Sequence, residues 1–388
     1  MIDMIIESNC VKAMKYFPEN YFDALVTDPP YGLIFMGKEW DKLWDKRKFD
    51  EYEYAQKSYT CSDGSTRKTN PVARKIKNPT YRTGIEAQFW HIQWLEEVFR
   101  ILKPGGSILV MGGTRTFYRL ACAIEDSGFI IKDILMWLHG QGFPKAQDIT
   151  IIIDSKILNK TTKQLKEEGW KKAITPEAKK WEGFKLGGLK PAYEPIIWGI
   201  KPLKGSCTDN VLKYGVGAIN VDECRIEYKN EIDKKAGRSE RKSTSKGHFA
   251  VLLGDDKYDR SKRNQLKGRF PANVVLDKES VKLLDEQTQI KDGVGVSRFF
   301  YCSKASRGEK NAGLEGIINR HPTVKPIKLF EWLIKFVTKE GQVILDPFLG
   351  TGTTMIAANN VNRICVGVEK EKEYCKIAKK RVGYWKKR

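Results

Sequence analysis

Between Met1 and Leu138 the sequence alternates short β-prone runs with stretches of helical period, and this alternation most tightly constrains the fold. "MIDMII", "DALVT", "SILVMGG" and "IIKDILMWL" read as strands. "NCVKAMKYF" and "TFYRLACAIEDSG" read as helices. A third helix follows from apolar residues at Ile85, Phe89, Ile92, Leu95, Phe99 and Leu102. "TGIE", Thr83 to Glu86, has the form of a capping box, and "KPGG" stops that helix. Alternating strands and helices build a mostly parallel sheet. "EPIIWGIKP" (194–202) adds a strand, and "TPEAKKWEG" places Thr175 as N-cap with Pro176 at the first helical position.

The alternation fades between about 203 and 320, where "KKAGRSERKSTSKGH" is basic and rich in small polar residues. It returns in "HPTVKPIKLFEWLIKFVT", which leads into a helix starting near Pro326, and in "QVILDPFLGTGTT" and "RICVGVE". The expected organisation is one α/β domain in two parts, 1–202 and 321–388, around an inserted module at 203–320. Residues 34–82 interrupt the first part as a long basic loop. Its stretch 67–82, "RKTNPVARKIKNPTYR", has six basic residues and no acid. Loops of such length are usually functional or disordered.

Composition narrows the partners. The net charge of +21 over 388 residues calls for a polyanion, with nucleic acid ahead of a membrane because no basic amphipathic helix dominates. No run of 18 apolar residues suggests a membrane span, and "MIDMIIESNC" lacks the pattern of a secretory signal. The eight cysteines form no C-x-x-C pair and no cluster with zinc spacing. Free thiols in a reducing cytosol and no structural metal are expected.

Two segments carry chemistry. In "FDALVTDPPYGL" an apolar strand stops on Asp28, because Pro29 and Pro30 cannot continue a ladder. The strand end thus offers a carboxylate, a backbone carbonyl and the aromatic face of Tyr31, where open α/β sheets bind ligands. A plain Asp-Pro turn is the bland alternative. In "VILDPFLGTGTT" a strand meets a glycine turn and a helix start, and Gly350 and Gly352 allow close backbone approach. Glu369 ends the next strand, where an acid can bond a ribose hydroxyl pair. The turn lacks the three-glycine dinucleotide fingerprint, so a smaller adenosine cofactor fits better than NAD.

"DPPY" early and "DPFLGTGTT" late resemble the catalytic and cofactor motifs of the amino-methylating DNA methyltransferases, in the order of their β class. The likeness runs through "GGTRTFYRLACAIEDSGF", "GQGFPK", "LKPAYEPI", "GRFPANVVLD", "RFFYCSKASRGEKNAG" and "HPTVKP", and is similar to a solitary branch common in phages, prophages and bacteria. The resemblance implies a Rossmann-like, seven-stranded class I methyltransferase sheet, circularly permuted, with a target-recognition domain at 203–320. It implies S-adenosyl-L-methionine as cofactor and double-stranded DNA as partner, with homodimerisation left open, in the cytoplasm of a bacterial or phage-infected cell.

By the same resemblance Asp28, Pro29, Pro30 and Tyr31 are catalytic, Asp28 and the Pro29 carbonyl taking the hydrogens of a flipped base's amine. Asp before Pro-Pro-Tyr is similar to the adenine-N6 enzymes. The cofactor set is Asn9, Asp28, Thr323, Lys325, Asp346, Pro347, Phe348, Gly350, Thr351, Gly352 and Glu369. Asn9 departs from the family, which often has an acid there. Lys325 and Thr323 would approach the cofactor carboxylate or brace its loop. Arg74, Lys75 and Lys77 of the basic loop, with Arg225, Arg269 and Arg298 of the module, are expected at DNA. Trp137 and His139 follow a strand, where core packing leads over lining a base pocket. Cytosine-N4 methylation, another amine target, or a silent DNA-binding relative remain as alternatives.

Overall fold

The computed structural model describes residues 3–32, 58–60, 66–68, 85–139, 145–228, 268–276, 300–302 and 304–387. Its strands are β1 (Met4–Glu7), β2 (Phe22–Thr27), β3 (Ser58–Thr60), β4 (Thr66–Lys68), β5 (Leu102–Met111), β6 (Ile130–Leu138) and β7 (Lys145–Asp148). They continue with β8 (Lys185–Gly188), β9 (Tyr193–Ile200), β10 (Val274–Leu276), β11 (Phe300–Tyr301), β12 (Val343–Asp346) and β13 (Ile364–Glu369). The helices are α1 (Cys10–Met14), α2 (Ile85–Ile101), α3 (Phe117–Asp126), α4 (Ile149–Ile157), α5 (Thr162–Glu167) and α6 (Pro176–Lys179). After them come α7 (Cys207–Tyr214), α8 (Arg307–Asn311), α9 (Ile327–Val337), α10 (Thr353–Asn360) and α11 (Lys372–Trp385).

The central sheet runs in the order β1-β13-β12-β2-β5-β9-β6-β10-β11. The pairs from β1 to β5 are parallel, as are β6–β10 and β10–β11, whereas β5 and β9 pair antiparallel. The fold is thus the mostly parallel α/β sheet expected, but with nine strands among the described residues rather than seven. Val274–Leu276 align with Met136–Leu138, and β11 extends β10. The gain is physical: the open edge of β6 finds partners for its backbone groups. Both added strands come from within the 203–320 segment.

The central strands β2, β5 and β12 are buried along nearly their whole length because both faces of the sheet are covered there. Ala24, Val26, Leu109, Met111, Ile196 and Ile344 pack on Leu329, Phe330 and Leu333 of α9. Phe22, Leu25, Ile108, Val110, Ile197 and Leu345 pack on Met14, Trp94, Leu95 and Leu120 of α1, α2 and α3. Side chains of successive strand residues point to opposite faces, so one strand feeds both cores.

"KPGG" stops α2 as expected, but it also lies inside a strand. β5 begins at Leu102, and its register against β2 jumps from Phe22↔Leu102 to Ala24↔Ser107. Gly106 is required there, since a Cβ would sit 2.9 Å from the Asp23 carbonyl oxygen. Thr175 caps α6 with Pro176 in its first turn, and Pro326 precedes α9, both as expected. The Thr83 capping box falls outside the described residues.

By internal contacts the chain forms two compact units, Met1–Leu138 with Glu194–Arg388, and His139–Tyr193. The smaller unit holds α4, α5, α6 and the antiparallel pair β7–β8. It is organised around the buried Asp154, whose carboxylate accepts from Trp170 Nε1, Ile174 N, Thr175 N and Thr175 Oγ1 at 2.7–2.9 Å. Burial works against that charge, but the four donors outweigh it and hold the carboxyl below its usual range. Among the described residues no helix is long and apolar enough to cross a membrane, and no group of three or more His, Cys, Asp or Glu could hold a metal ion.

Candidate active site

Strand direction assembles the site. β1, β13, β12, β2 and β5 run the same way, so Asp28, Asp346, Glu369 and the Gly112-Gly113 pair all arrive at one edge of the sheet. β9 runs against β5, so its beginning, not its end, reaches that edge. Gly112 N donates to the Pro195 carbonyl at 2.9 Å and fixes Glu194 beside the others.

Asp28, Tyr31, Glu194 and Lys325 form one buried polar cluster. The Lys325 ammonium lies 2.5 Å from Asp28 Oδ2 and 3.3 Å from Glu194 Oε2. The Tyr31 hydroxyl lies 2.8 Å from Asp28 Oδ1 and 2.9 Å from Glu194 Oε2. Side-chain exposure is 18% for Asp28 and 21% for Glu194 but 7% for Lys325, so the ammonium is the most deeply buried of the three. Burial pushes the Asp28 carboxyl up, against the pull of Lys325. Burial pulls Lys325 down, but Asp28 and Glu194 together hold it above its usual value. Burial and both carboxylates keep the Tyr31 phenol protonated. The Tyr31 ring packs closely on Gly113: a Cβ there would sit 3.0 Å from Tyr31 Cδ2, so the ring would have to give by a few tenths of an ångström.

Beside this cluster lies the glycine turn. Thr27 Oγ1 donates to Asp346 Oδ1 at 2.6 Å, Thr354 Oγ1 to Asp346 Oδ2 at 2.5 Å and Phe348 N to Asp346 Oδ1 at 3.0 Å. Asp346 therefore ties the end of β2 to both limbs of the turn, and burial pushes its carboxyl up to about 6. Gly350 and Gly352 have φ of +54° and +88°. A Cβ on Gly352 would meet Ala378 and Val382 of α11 at 3.2 Å. The side-chain direction of Gly352 is thus occupied by α11, and its left-handed backbone is one that glycine adopts readily. From the same helix the buried Arg381 donates to the Thr351 carbonyl at 2.6 Å and to Thr351 Oγ1 at 3.0 Å. Glu369 Oε2 accepts from Gly350 N at 2.8 Å, and burial pushes its carboxyl up to about 7. A rigid left-handed turn at one strand end, with an acid at the next, fits an adenosine cofactor.

The DNA methylase family (N6/N4 type) matches residues 22–380. The chain belongs to this family. A DNA methylase relative, the type II methyltransferase M.HindIII of Haemophilus influenzae, is 27% identical over 99% of this chain and 96% of its own. The type II methyltransferase M.HpaI of Haemophilus parainfluenzae is 23% identical over 98% and 74%. Among solved structures, the M1.HpyAVI–SAM complex aligns over 98% of this chain and 99% of its own, at 18% identity and a TM-score of 0.43.

In this DNA methylase chain the other expected site residues have varied surroundings. Asn9 is the N-cap of α1, its Oδ1 accepting from Lys12 N at 3.2 Å. Thr323 N donates to His321 Nδ1 at 3.3 Å, and His321 packs edge-on against Tyr374. Lys325, expected to approach the cofactor carboxylate or brace its loop, has its ammonium in the cluster with Asp28. Phe348 packs on Trp90 and Trp94 of α2. Trp137 is core, as the leading assignment had it, with its Nε1 donating to the Cys302 carbonyl at 3.0 Å. Arg225 and Arg269 come together at the bridge between Ile226 and Arg269. Arg225 is engaged there by Asp222 Oδ1 at 2.8 Å and the Gly268 carbonyl at 3.2 Å. Arg74, Lys75, Lys77 and Arg298 lie outside the described residues. No sequence motif marks Glu194 or Arg381 as a site residue, and the one hint of Glu194 is its place in "LKPAYEPI".

Proposed function

We propose that the protein is an S-adenosylmethionine-dependent, sequence-specific DNA methyltransferase of β-class order that methylates the exocyclic N6 of adenine. The observation that carries this reading is Asp28, held with Pro29, Pro30 and Tyr31 at the end of β2 beside the Asp346–Gly352 turn. The amine lone pair of adenine is delocalised into the ring. Asp28 and the Pro29 carbonyl accept its two hydrogens, tilt the nitrogen toward tetrahedral geometry, and Asp28 favours the positive charge that develops there. Pro30 stiffens the strand end, and Tyr31 stacks on the base once it is flipped from the duplex. The cofactor supplies the methyl group on its sulfonium. Thr351, Gly350 and Gly352 line the turn that meets its methionine end, and Glu369 accepts from its ribose hydroxyls. Asn9, Thr323, Pro347 and Phe348 border the same pocket. Methylation-sensitive sequencing of DNA from cells expressing the protein should show N6-methyladenine at one short motif, absent with Asp28→Ala. Marks on cytosine, or none, overturn the reading.

Glu369 gives the cofactor site a pH dependence. Its carboxyl sits at about 7 in the free protein. Ribose hydroxyls donate best to the ionised form, so bound cofactor favours deprotonation. Affinity is therefore full above about 7 and falls as pH drops through it. Calorimetry should find binding at pH 6 weaker than at pH 8, on the order of tenfold if only the ionised form binds. Glu369→Gln should flatten the dependence, and a pH-independent wild-type affinity contradicts the contact.

DNA contact divides by chemistry. The basic loop holds phosphates, and the 203–320 module, with Arg225, Arg269 and Arg298, reads bases as the target-recognition domain. Neutralising Arg74, Lys75 and Lys77 should weaken binding to all sequences and flatten the salt slope by about 0.9 for each phosphate no longer neutralised. A salt titration that leaves the slope unchanged removes the loop from the interface.

A further inference from the structure

We propose that Glu194 is a positioning residue that holds the Tyr31 hydroxyl and the Lys325 ammonium while Asp28 accepts the substrate amine. The inference rests on the proposed role of Asp28 and assigns the acid at the start of the antiparallel strand to the same reaction.

The cluster holds two donors and two carboxylates, and each donor lies within reach of both. The single proton of Tyr31 has acceptors at 2.8 Å on Asp28 and 2.9 Å on Glu194. The Lys325 ammonium spans Asp28 at 2.5 Å and Glu194 at 3.3 Å. A carboxylate offers about four lone-pair sites in fixed directions, so two strong donors on Asp28 compete with an incoming amine. Glu194 removes the competition. The tyrosine proton turns to Glu194, the ammonium shifts toward it, and Asp28 is freed without leaving either buried donor unpaired. If both acids are ionised, the cluster carries one negative charge in excess of the ammonium. That excess favours the cation forming on the amine nitrogen. Burial supports the requirement: with 7% exposure Lys325 cannot rely on water, and its raised protonation depends on both acids. Backbone geometry makes the placement firm, since Glu194 precedes the Pro195 carbonyl that receives Gly112 N, and Ile196 pairs with Met111.

The test is a double-mutant cycle on the full chain, read by single-turnover rates on a duplex carrying its site and by S-adenosylmethionine affinity. Glu194→Ala leaves Asp28 as the remaining acceptor for Tyr31 among the described residues. Its methyl-transfer rate should fall roughly 10- to 100-fold with cofactor affinity and DNA KM held. Adding Tyr31→Phe removes the competing hydroxyl, so the double variant should be faster than Glu194→Ala alone. A role in folding alone would make the double variant no better or worse. Glu194→Gln keeps an acceptor oxygen in place, should stay closer to the wild-type rate than Ala does, and serves in the cycle if Ala does not fold. A rate for Glu194→Ala within twofold of wild type, or additive losses in the cycle, overturns the proposal. Turnover surviving in Asp28→Ala would instead remove the reading of Asp28 on which it rests.

Discussion

Asp28→Ala is expected to bind S-adenosylmethionine and to lose methyl transfer by at least about 10²–10³-fold, the range for deleting one group that stabilises developing charge. Two consequences combine. The amine loses its charged acceptor, and among the described residues Lys325 is left with Glu194 as its one acidic partner. Cofactor affinity should survive because Glu369 and the turn at 350–352 do not depend on Asp28 for any hydrogen bond among those described. Asp28→Asn keeps the shape and can still accept, but its amide would present a donor to Lys325 or Tyr31, so it should also be strongly impaired. Single-turnover kinetics and calorimetry on the same preparations separate the two effects. Near-normal turnover in either variant would exclude Asp28 from the reaction.

Gly352→Val is expected to destabilise the protein by about 3 kcal/mol or more, with loss of cofactor binding as a consequence rather than a separate effect. The backbone at 352 has φ of +88°, which a β-branched residue scarcely adopts. Its Cβ would stand 3.2 Å from Ala378 and from Val382, before any γ carbon is placed. Gly352→Ala meets the same φ with less bulk, so it should be intermediate. Thermal and urea denaturation check the order Gly, Ala, Val. Equal stability of all three with selective loss of cofactor affinity would return Gly352 to the ligand-facing role that the sequence suggested.

Gly352 shows which parts of the site a sequence can carry. The end of β2 was legible because Pro29 and Pro30 are local instructions: an apolar run cannot pair past them. The turn at 346–352 was legible for the same reason, from two glycines after a β-prone run. What faces those glycines was not, because α11 approaches from some 25 residues downstream through tertiary packing. Glu194 was hidden by strand direction. The run "EPIIWGI" announces a strand, but only its antiparallel pairing with β5 brings the first residues, not the last, to the site. The Lys325–Asp28 pair spans 297 positions and depends on α9 packing on the sheet beside β2. β10 and β11, of three and two residues, are too short to carry a periodic signal and gain their structure from the edge of β6.

The proposed role of Asp28 is to direct a methyl group to the N6 of adenine in DNA. The most direct test is to incubate purified protein with duplex DNA and S-adenosylmethionine labelled in its methyl group, digest the product to nucleosides and identify the labelled one by mass spectrometry. Label in N6-methyladenine alone, abolished by Asp28→Ala, is the expected result. Label in N4-methylcytosine, or label that persists without Asp28, would contradict it.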